Sequence, residues 1–257
     1  MRFSIVTVVR NAAAQIGDTL QSVRLQTGVD VEHLVVDGAS TDGTLDVIRQ
    51  HGQHVARSVS EPDRGIYDAF NKGLALATGD VIAFLNAGDT YIGDEVLAGI
   101  QGQFASHDVD AVFGDVLMVG ATDPRRVVRH YRSAYFTPER LAYGFMPAHP
   151  ALFLKRSVYE RVGGYDASYR QAGDFELCVR VFLKGRIPYM HVPKAMVRML
   201  AGGISNRGLK SRFINTREIR RACRTNGVAT NYLKLSLRFP IKALELLLKP
   251  QFKRRSK

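Results

Sequence analysis

Three aspartates stand where this chain changes from an apolar run to a turn or a helix start. Asp37 follows His33-Leu34-Val35-Val36 and opens the turn-rich segment Asp37-Gly38-Ala39-Ser40-Thr41-Asp42-Gly43. Asp89 closes Asn86-Ala87-Gly88-Asp89, directly after the apolar run Val81-Ile82-Ala83-Phe84-Leu85. Asp174 begins an amphipathic pattern carrying Phe175, Cys178, Val179 and Phe182. A carboxylate so placed can accept N–H hydrogens, hold a divalent cation beside phosphate oxygens, or take a proton from a hydroxyl. It can also merely cap a turn or a helix, as Asp37 before Gly38 and Asp174 ahead of Glu176 could do.

The elements that must position these acids alternate along the first half of the chain. Residues 3–9 read as a buried strand, and Ile16, Leu20 and Val23 follow at helical spacing before Gly28. Residues 33–36 and 55–59 read as further strands, separated by a helix with Leu45 and Ile48 on one face. Ile66, Ala69, Phe70, Leu74 and Ala77 mark a third helix, and 81–85 a fourth strand. Nearly continuous apolar strands alternating with helices indicate an α/β fold, a mixed and mostly parallel Rossmann-like sheet flanked by helices. Ligands of such sheets lie beyond the carboxyl ends of the strands. Arg10, Asn11, Asp37 and residues 86–89 all fall at such ends. Beyond residue 110 the pattern loosens: 111–115 and 151–154 read as strands, and 155–163 and 174–183 as helices. Residues 187–199 are largely apolar but interrupted by Pro188 and Pro193, so an edge strand is expected.

Four segments, taken in order, resemble glycosyltransferase family 2, the nucleotide-sugar transferases of GT-A fold. They are Ser4-Ile5-Val6-Thr7-Val8-Val9-Arg10-Asn11, Asp37-Gly38-Ala39-Ser40-Thr41-Asp42-Gly43-Thr44, Ala77-Thr78-Gly79-Asp80 through Asp89, and Ala172-Gly173-Asp174-Phe175-Glu176-Leu177. The resemblance implies a UDP-sugar or GDP-sugar donor, with Asp37 on the base and Thr7, Val9, Asn11 and Ser40 beside it. Asn86, Ala87 and Gly88 stand where the family usually has an Asp-x-Asp signature, and the resemblance makes Asp89 the ligand of Mg²⁺ or Mn²⁺. Asp174 becomes the base that deprotonates an acceptor hydroxyl, in an inverting transfer. Residues 61–73 also look familial and add Arg64, Asp68 and Lys72 as donor contacts. Residues 146–150 add His149 on the acceptor side, and His191 could complete a metal shell. A Rossmann-type dehydrogenase is disfavoured, because Arg10-Asn11-Ala12-Ala13-Ala14 replaces any GxGxxG after the first strand. A non-catalytic binding protein is the other alternative, prompted by Asn86 and Gly88.

Charge divides the 257 residues unevenly. Of the net +12, almost none belongs to residues 1–204, which carry 21 Lys/Arg against 22 Asp/Glu. Residues 205–257 carry 15 against 2. The expected organisation is a GT-A domain over 1–204 (a nucleotide-binding half, 1–109, and an acceptor half, 110–204) and a basic helical extension over 205–257. Leu233, Leu237, Leu244 and Leu248 fall near one stripe of that extension, with Lys234, Arg238 and Lys242 on another, before Lys253-Arg254-Arg255-Ser256-Lys257. Such a helix suits an anionic membrane surface, or packs its leucines on the domain. Nucleic acid is disfavoured because aromatic residues for base stacking are scarce in it. No apolar run reaches the roughly 20 residues that span a bilayer, and the amino terminus lacks the pattern of a secretory signal. Only two cysteines, without CxxC spacing, argue against a disulfide framework and suit a reducing, cytoplasmic setting. The expected location is peripheral, on the inner face of the cell membrane, with a lipid-linked saccharide of surface-polysaccharide assembly as acceptor.

Overall fold

The sheet grows outward from β1 (Arg2–Val9), whose alternate residues enter different cores. Phe3 and Ile5 join one buried cluster, Val6 and Val8 another. β4 (Val81–Phe84) divides the same way, with Val81 and Ala83 against Ile82 and Phe84. Burial on both faces is why these strands read as unbroken apolar runs. The computed structural model describes residues 1–120, 123, 126–200 and 208–240.

Four parallel strands carry the first half: β3 (Val55–Ser60), β2 (Asp30–Asp37), β1 and β4, adjacent in that order. They are linked by α1 (Ala13–Arg24), α2 (Thr44–His51) and α3 (Ile66–Leu76). Then come β5 (Thr90–Tyr91), α4 (Val96–Ser106), β6 (Ala111–Val119), β7 (Val127–Tyr131), β8 (Leu152–Lys155) and α5 (Arg156–Val162). α6 (Gly173–Cys178) continues as a wider π-helical stretch, Val179–Lys184, before β9 (Tyr189–Leu200). β8 runs antiparallel between β4 and β6, and β9 runs parallel to β6. The longest ladders, β1 with β2 and β6 with β9, are both parallel.

β9 corrects the expectation of an edge strand, since it lies between β6 and β5. Its ladder with β6 jumps from Phe113↔His191 to Asp115↔Ala195, and Pro193 falls inside that irregularity. Proline lacks a donor for the ladder, and a bulge tolerates it as well as an edge does.

The described part of the carboxyl-terminal extension forms α7 (Gly208–Thr225) and α8 (Tyr232–Ser236). Ile219, Ala222 and Cys223 of α7 and Leu235 of α8 join the cluster that holds Phe70, Phe113 and Phe182. α7 and α8 are thus each anchored in the domain's own core. Of the leucine stripe, Leu233 and Leu237 face solvent. Leu244, Leu248, Lys242, the final basic run and the loop 202–205 lie outside the described residues.

Candidate active site

Two loops interlock beyond the carboxyl ends of β1 and β2. Val9 pairs with Asp37 in the ladder, and the Gly38 N–H donates to the Val9 carbonyl at 2.9 Å. Asn11, with φ 50°, accepts the Thr41 N–H on Oδ1 at 2.8 Å, while its own N–H donates to Ser40 Oγ at 2.8 Å. Ala39 also sits at positive φ (55°), a conformation that non-glycine residues hold only when their surroundings impose it. Asp37 is fully buried. Its carboxylate accepts the Ser40 N–H at 3.0 Å, the Ser40 hydroxyl, and the Ser60 hydroxyl at 2.6 Å. That leaves about one of the four acceptor positions of a carboxylate for a ligand. Thr7 and Val9 turn their side chains inward: Thr7 Oγ1 is hydrogen-bonded to His33 at 2.9 Å, and Val9 packs with Ile16, Leu20 and Val35.

On the other flank of β1, the Ala87 N–H donates to the Val8 carbonyl at 3.3 Å, so the 86–89 turn leaves the sheet beside the same strand end. Thr19 of α1 clamps this turn, accepting from the Gly88 N–H and donating to the Asp89 carbonyl, both at 2.9 Å. Gly88 has φ 96°, and a Cβ there would lie 3.2 Å from Leu200 Cδ1, which explains the missing acid at this position. Asn86 Oδ1 is buried without a hydrogen-bond partner. Asp89 is 5% exposed, and burial pushes its carboxyl up to about 8 with no nearby cation to offset the desolvation. An amide oxygen and a carboxyl on one turn, neither with a partner among the described residues, are oxygen donors of the kind that Mg²⁺ or Mn²⁺ takes. Among the described residues, no group of three or more His, Cys, Asp or Glu gathers into a metal cluster.

Asp174 lies in the first turn of α6. Its Oδ1 accepts from the Tyr67 hydroxyl at 3.2 Å and from the Phe175 N–H at 2.9 Å, leaving Oδ2 without a partner among the described residues. Tyr67 stands in the first turn of α3. It stacks on Tyr165 and meets Phe70 edge-on, and Phe70 packs on Phe84, the last residue of β4, at 4.6 Å between ring centres. Asp174 is thereby tied through aromatic rings to the strand that delivers Asn86 and Asp89. His149 lies inside this cluster, stacked on Phe70 and bonded through Nε2 to the Tyr165 hydroxyl at 2.9 Å. Burial holds its imidazole below the ordinary range, although Asp174 pulls the other way.

The 61–73 segment is closed on itself. Arg64 has its side chain 85% exposed and pairs with Asp68 at 3.1 Å. Lys72 pairs with Glu61 at 2.9 Å and donates to the Pro62 carbonyl at 2.7 Å. Hydrogen bonds from Arg64 hold the Asp68 carboxyl below its usual range.

Residues 4–163 match the family model described as glycosyl transferase family 2. The chain is a family 2 glycosyltransferase. A PGL/p-HBAD biosynthesis glycosyltransferase of Mycobacterium bovis is 32% identical over 218 residues, 82% of each chain. A glycosyltransferase of Mycobacterium tuberculosis without an assigned role is 30% identical over 184 residues, 70% of this chain and 68% of that one. Among solved structures, S. aureus TarS 1–349 in complex with UDP-GlcNAc superimposes with a TM-score of 0.68 at 18% identity, over 86% of this chain and 66% of that one. The mannosyltransferase PcManGT from Pyrobaculum calidifontis, in complex with GDP-Man and Mn²⁺, gives 0.59 at 20% identity, over 96% and 81%. The transferase has the GT-A fold of these neighbours.

In the transferase, packing accounts for one residue of the fourth motif, Gly173, and brings in two residues that the motif reading did not reach, Asp115 and Glu218. Gly173 replaces the family's usual glutamate, and the cause is steric: a Cβ there would lie 2.8 Å from the Tyr67 ring. Gly173→Ala should cost about 1–3 kcal/mol through overpacking, read as a fall in thermal unfolding temperature; an unchanged melting curve would refute the contact. Asp115 is another buried acid, accepting from the Ser133 N–H at 2.9 Å and meeting His130 Nε2 at 2.9 Å and His191 Nε2 at 3.0 Å. Ala83 and Val112 both pair with Phe153, so Asn86, just beyond the end of β4, and Asp115, still inside β6, stand three residues on at a similar level of the sheet. His191 is therefore engaged by Asp115.

Glu218 of α7 accepts the backbone N–H groups of Arg170, Gln171 and Ala172 at 2.9, 2.8 and 3.0 Å, bracing the loop that leads into Asp174. Glu218→Gln exchanges one acceptor oxygen for a donor facing those amides, at a cost of roughly 1–3 kcal/mol. Hydrogen exchange at 170–172 should accelerate relative to the rest of the domain, and equal protection in the variant would remove the bracing role.

Proposed function

We propose that this glycosyltransferase moves a sugar from a UDP-sugar or GDP-sugar to a saccharide hydroxyl with inversion, the acceptor being lipid-linked and destined for a surface polysaccharide. The observation that carries this reading is the placement of Asp37 and the Asn86–Asp89 turn on the two flanks of the carboxyl end of β1, the turn holding an amide oxygen and a carboxyl with no partner among the described residues. Asp37 keeps an acceptor position for an N–H of the nucleobase, between loops that Asn11 and Ser40 lock together. Asp89 and Asn86 are the residues that would hold a divalent cation. Such an ion, when bound, offsets negative charge on a departing diphosphate. Arg64 and Lys72 can reach phosphate only by leaving their partners Asp68 and Glu61.

Asp174 takes the acceptor's proton on Oδ2 as the hydroxyl oxygen attacks the anomeric carbon, and the bond from that carbon to the diphosphate oxygen breaks. Tyr67 and the Phe175 N–H fix Oδ1, so the carboxylate presents its free oxygen in one orientation. No helix among the described residues is long and apolar enough to cross a membrane; the basic extension would place the enzyme on the inner face of the cell membrane. Release of nucleoside diphosphate from a panel of UDP- and GDP-sugars, with and without Mn²⁺, tests the reading. Turnover with a subset of donors supports it, and tight donor binding with no turnover would favour the non-catalytic alternative that the reduced acid set of the 86–89 turn suggests.

A further inference from the structure

α7 has one face in the core and another that is cationic and open. Ile219, Ala222 and Cys223 are buried, whereas Phe213, Arg217, Arg220, Arg221 and Arg224 recur every three or four residues along the other side. Arg217, Arg220, Arg221 and Arg224, with Thr225 and Tyr232, line a cavity of about 460 Å³. Four like charges on one helical face repel, and the structure offsets little of this. Arg221 is engaged, reaching Asp166 at 3.8 Å, donating to Ser168 Oγ at 2.6 Å and lying over the Tyr169 ring. Arg220 lies over the Tyr232 ring at 4.8 Å, and its Nε is buried without a hydrogen-bond partner. Among the described residues no carboxylate pairs with Arg217, Arg220 or Arg224. The nearby acid Glu218 is spent on three backbone amides.

Two exposed apolar side chains neighbour the lining residues along the chain. Phe213 is 66% exposed, one turn before Arg217, and Leu233, beside Tyr232, is 74% exposed. Guanidinium groups bind phosphate oxygens in a bidentate fork, and isolated exposed Phe and Leu beside them suit a water–lipid boundary rather than free solution.

We propose that this arginine face of α7 is a binding site for the phosphate headgroups of anionic lipids, with Phe213 and Leu233 entering the headgroup layer. The proposal rests on the membrane part of the functional reading and assigns it to α7 rather than to the final basic run. It is independent of the donor chemistry.

The test is co-sedimentation of the full chain with vesicles of phosphatidylcholine alone or mixed equally with phosphatidylglycerol. The wild type should partition onto the mixed vesicles only. At about 1 kcal/mol for each basic residue near an anionic surface, the variant Arg217→Gln/Arg220→Gln/Arg224→Gln should bind them roughly 100-fold more weakly. Arg217→Gln/Arg224→Gln, which changes only exposed side chains, should lose roughly 10- to 30-fold by the same arithmetic. Nucleoside diphosphate release in the absence of lipid should be unaltered in both, which separates failure of this site from failure of the donor reading. Undiminished vesicle binding by the triple variant, or equal binding of the wild type to neutral vesicles, overturns the proposal. So does arginine-dependent binding of inorganic pyrophosphate without any vesicle partition, which would assign the face to a soluble phosphate.

Discussion

Asp174→Asn should lower turnover by about 10²- to 10⁴-fold, the usual worth of a positioned general base, while donor affinity stays within a few-fold of the wild type. The asparagine keeps the size of the side chain and can still accept from Tyr67 and the Phe175 N–H on one atom. What it loses is the basic oxygen on the other. A variant that retains turnover would remove Asp174 from the proposed base role. Tyr67→Phe provides the complementary arm, since it frees Oδ1 without touching the carboxylate. Its effect should be smaller and should appear mainly in kcat, because one neutral hydrogen bond contributes about 0.5–1.5 kcal/mol.

Asp89→Asn carries the second large effect and a pH signature. In the folded protein, burial pushes this carboxyl up to about 8, far above its value in the unfolded chain. Between those two values the folded state holds a proton that the unfolded state has released. The ligand-free enzyme should therefore lose stability as pH rises from about 4 to about 8. Asp89→Asn removes that slope and should raise the unfolding temperature near pH 8 but not near pH 4. Cation binding requires the carboxylate, so Mn²⁺ affinity should increase with pH across the same window, with proton release on binding. In the variant, Mn²⁺ should no longer stimulate turnover, a loss of about 10²-fold or more if the ion supplies several kcal/mol to the departing charge. Parallel melting profiles for wild type and variant across pH would show that Asp89 does not titrate as its burial demands.

The central strands and the Asp37, Asp89 and Asp174 positions were legible because they depend on local pattern: continuous apolar runs, and turn residues at strand ends. β9 was legible as a strand but not in its place, because Pro193 looks the same in a bulge as at an edge. Tyr67 could not be connected to Asp174 from sequence, since 107 residues separate them and only the packing of α3 against α6 brings the hydroxyl to Oδ1. The same holds for Asp115 with His191, 76 residues apart. Gly173 and Gly88 looked like eroded motifs. The Tyr67 ring and the positive φ of Gly88 show that each is the residue its surroundings allow. For the extension, sequence left open whether it lies on a membrane surface or packs on the domain, because its charge dominates its composition. Ile219, Ala222, Cys223 and Leu235 are aimed into the core, whereas Phe213, Leu233 and Leu237 are exposed.

One consequence of α7 concerns reach. The same helix braces the loop before Asp174 with Glu218 and carries its arginines on a neighbouring face, so both are fixed to one rigid element. Anything resting on the arginines would be held at a set height from the proposed base. Acceptors whose hydroxyl stands much farther from their anchor would overshoot it, and the helix would act as a ruler that selects acceptors by stem length as well as by sugar.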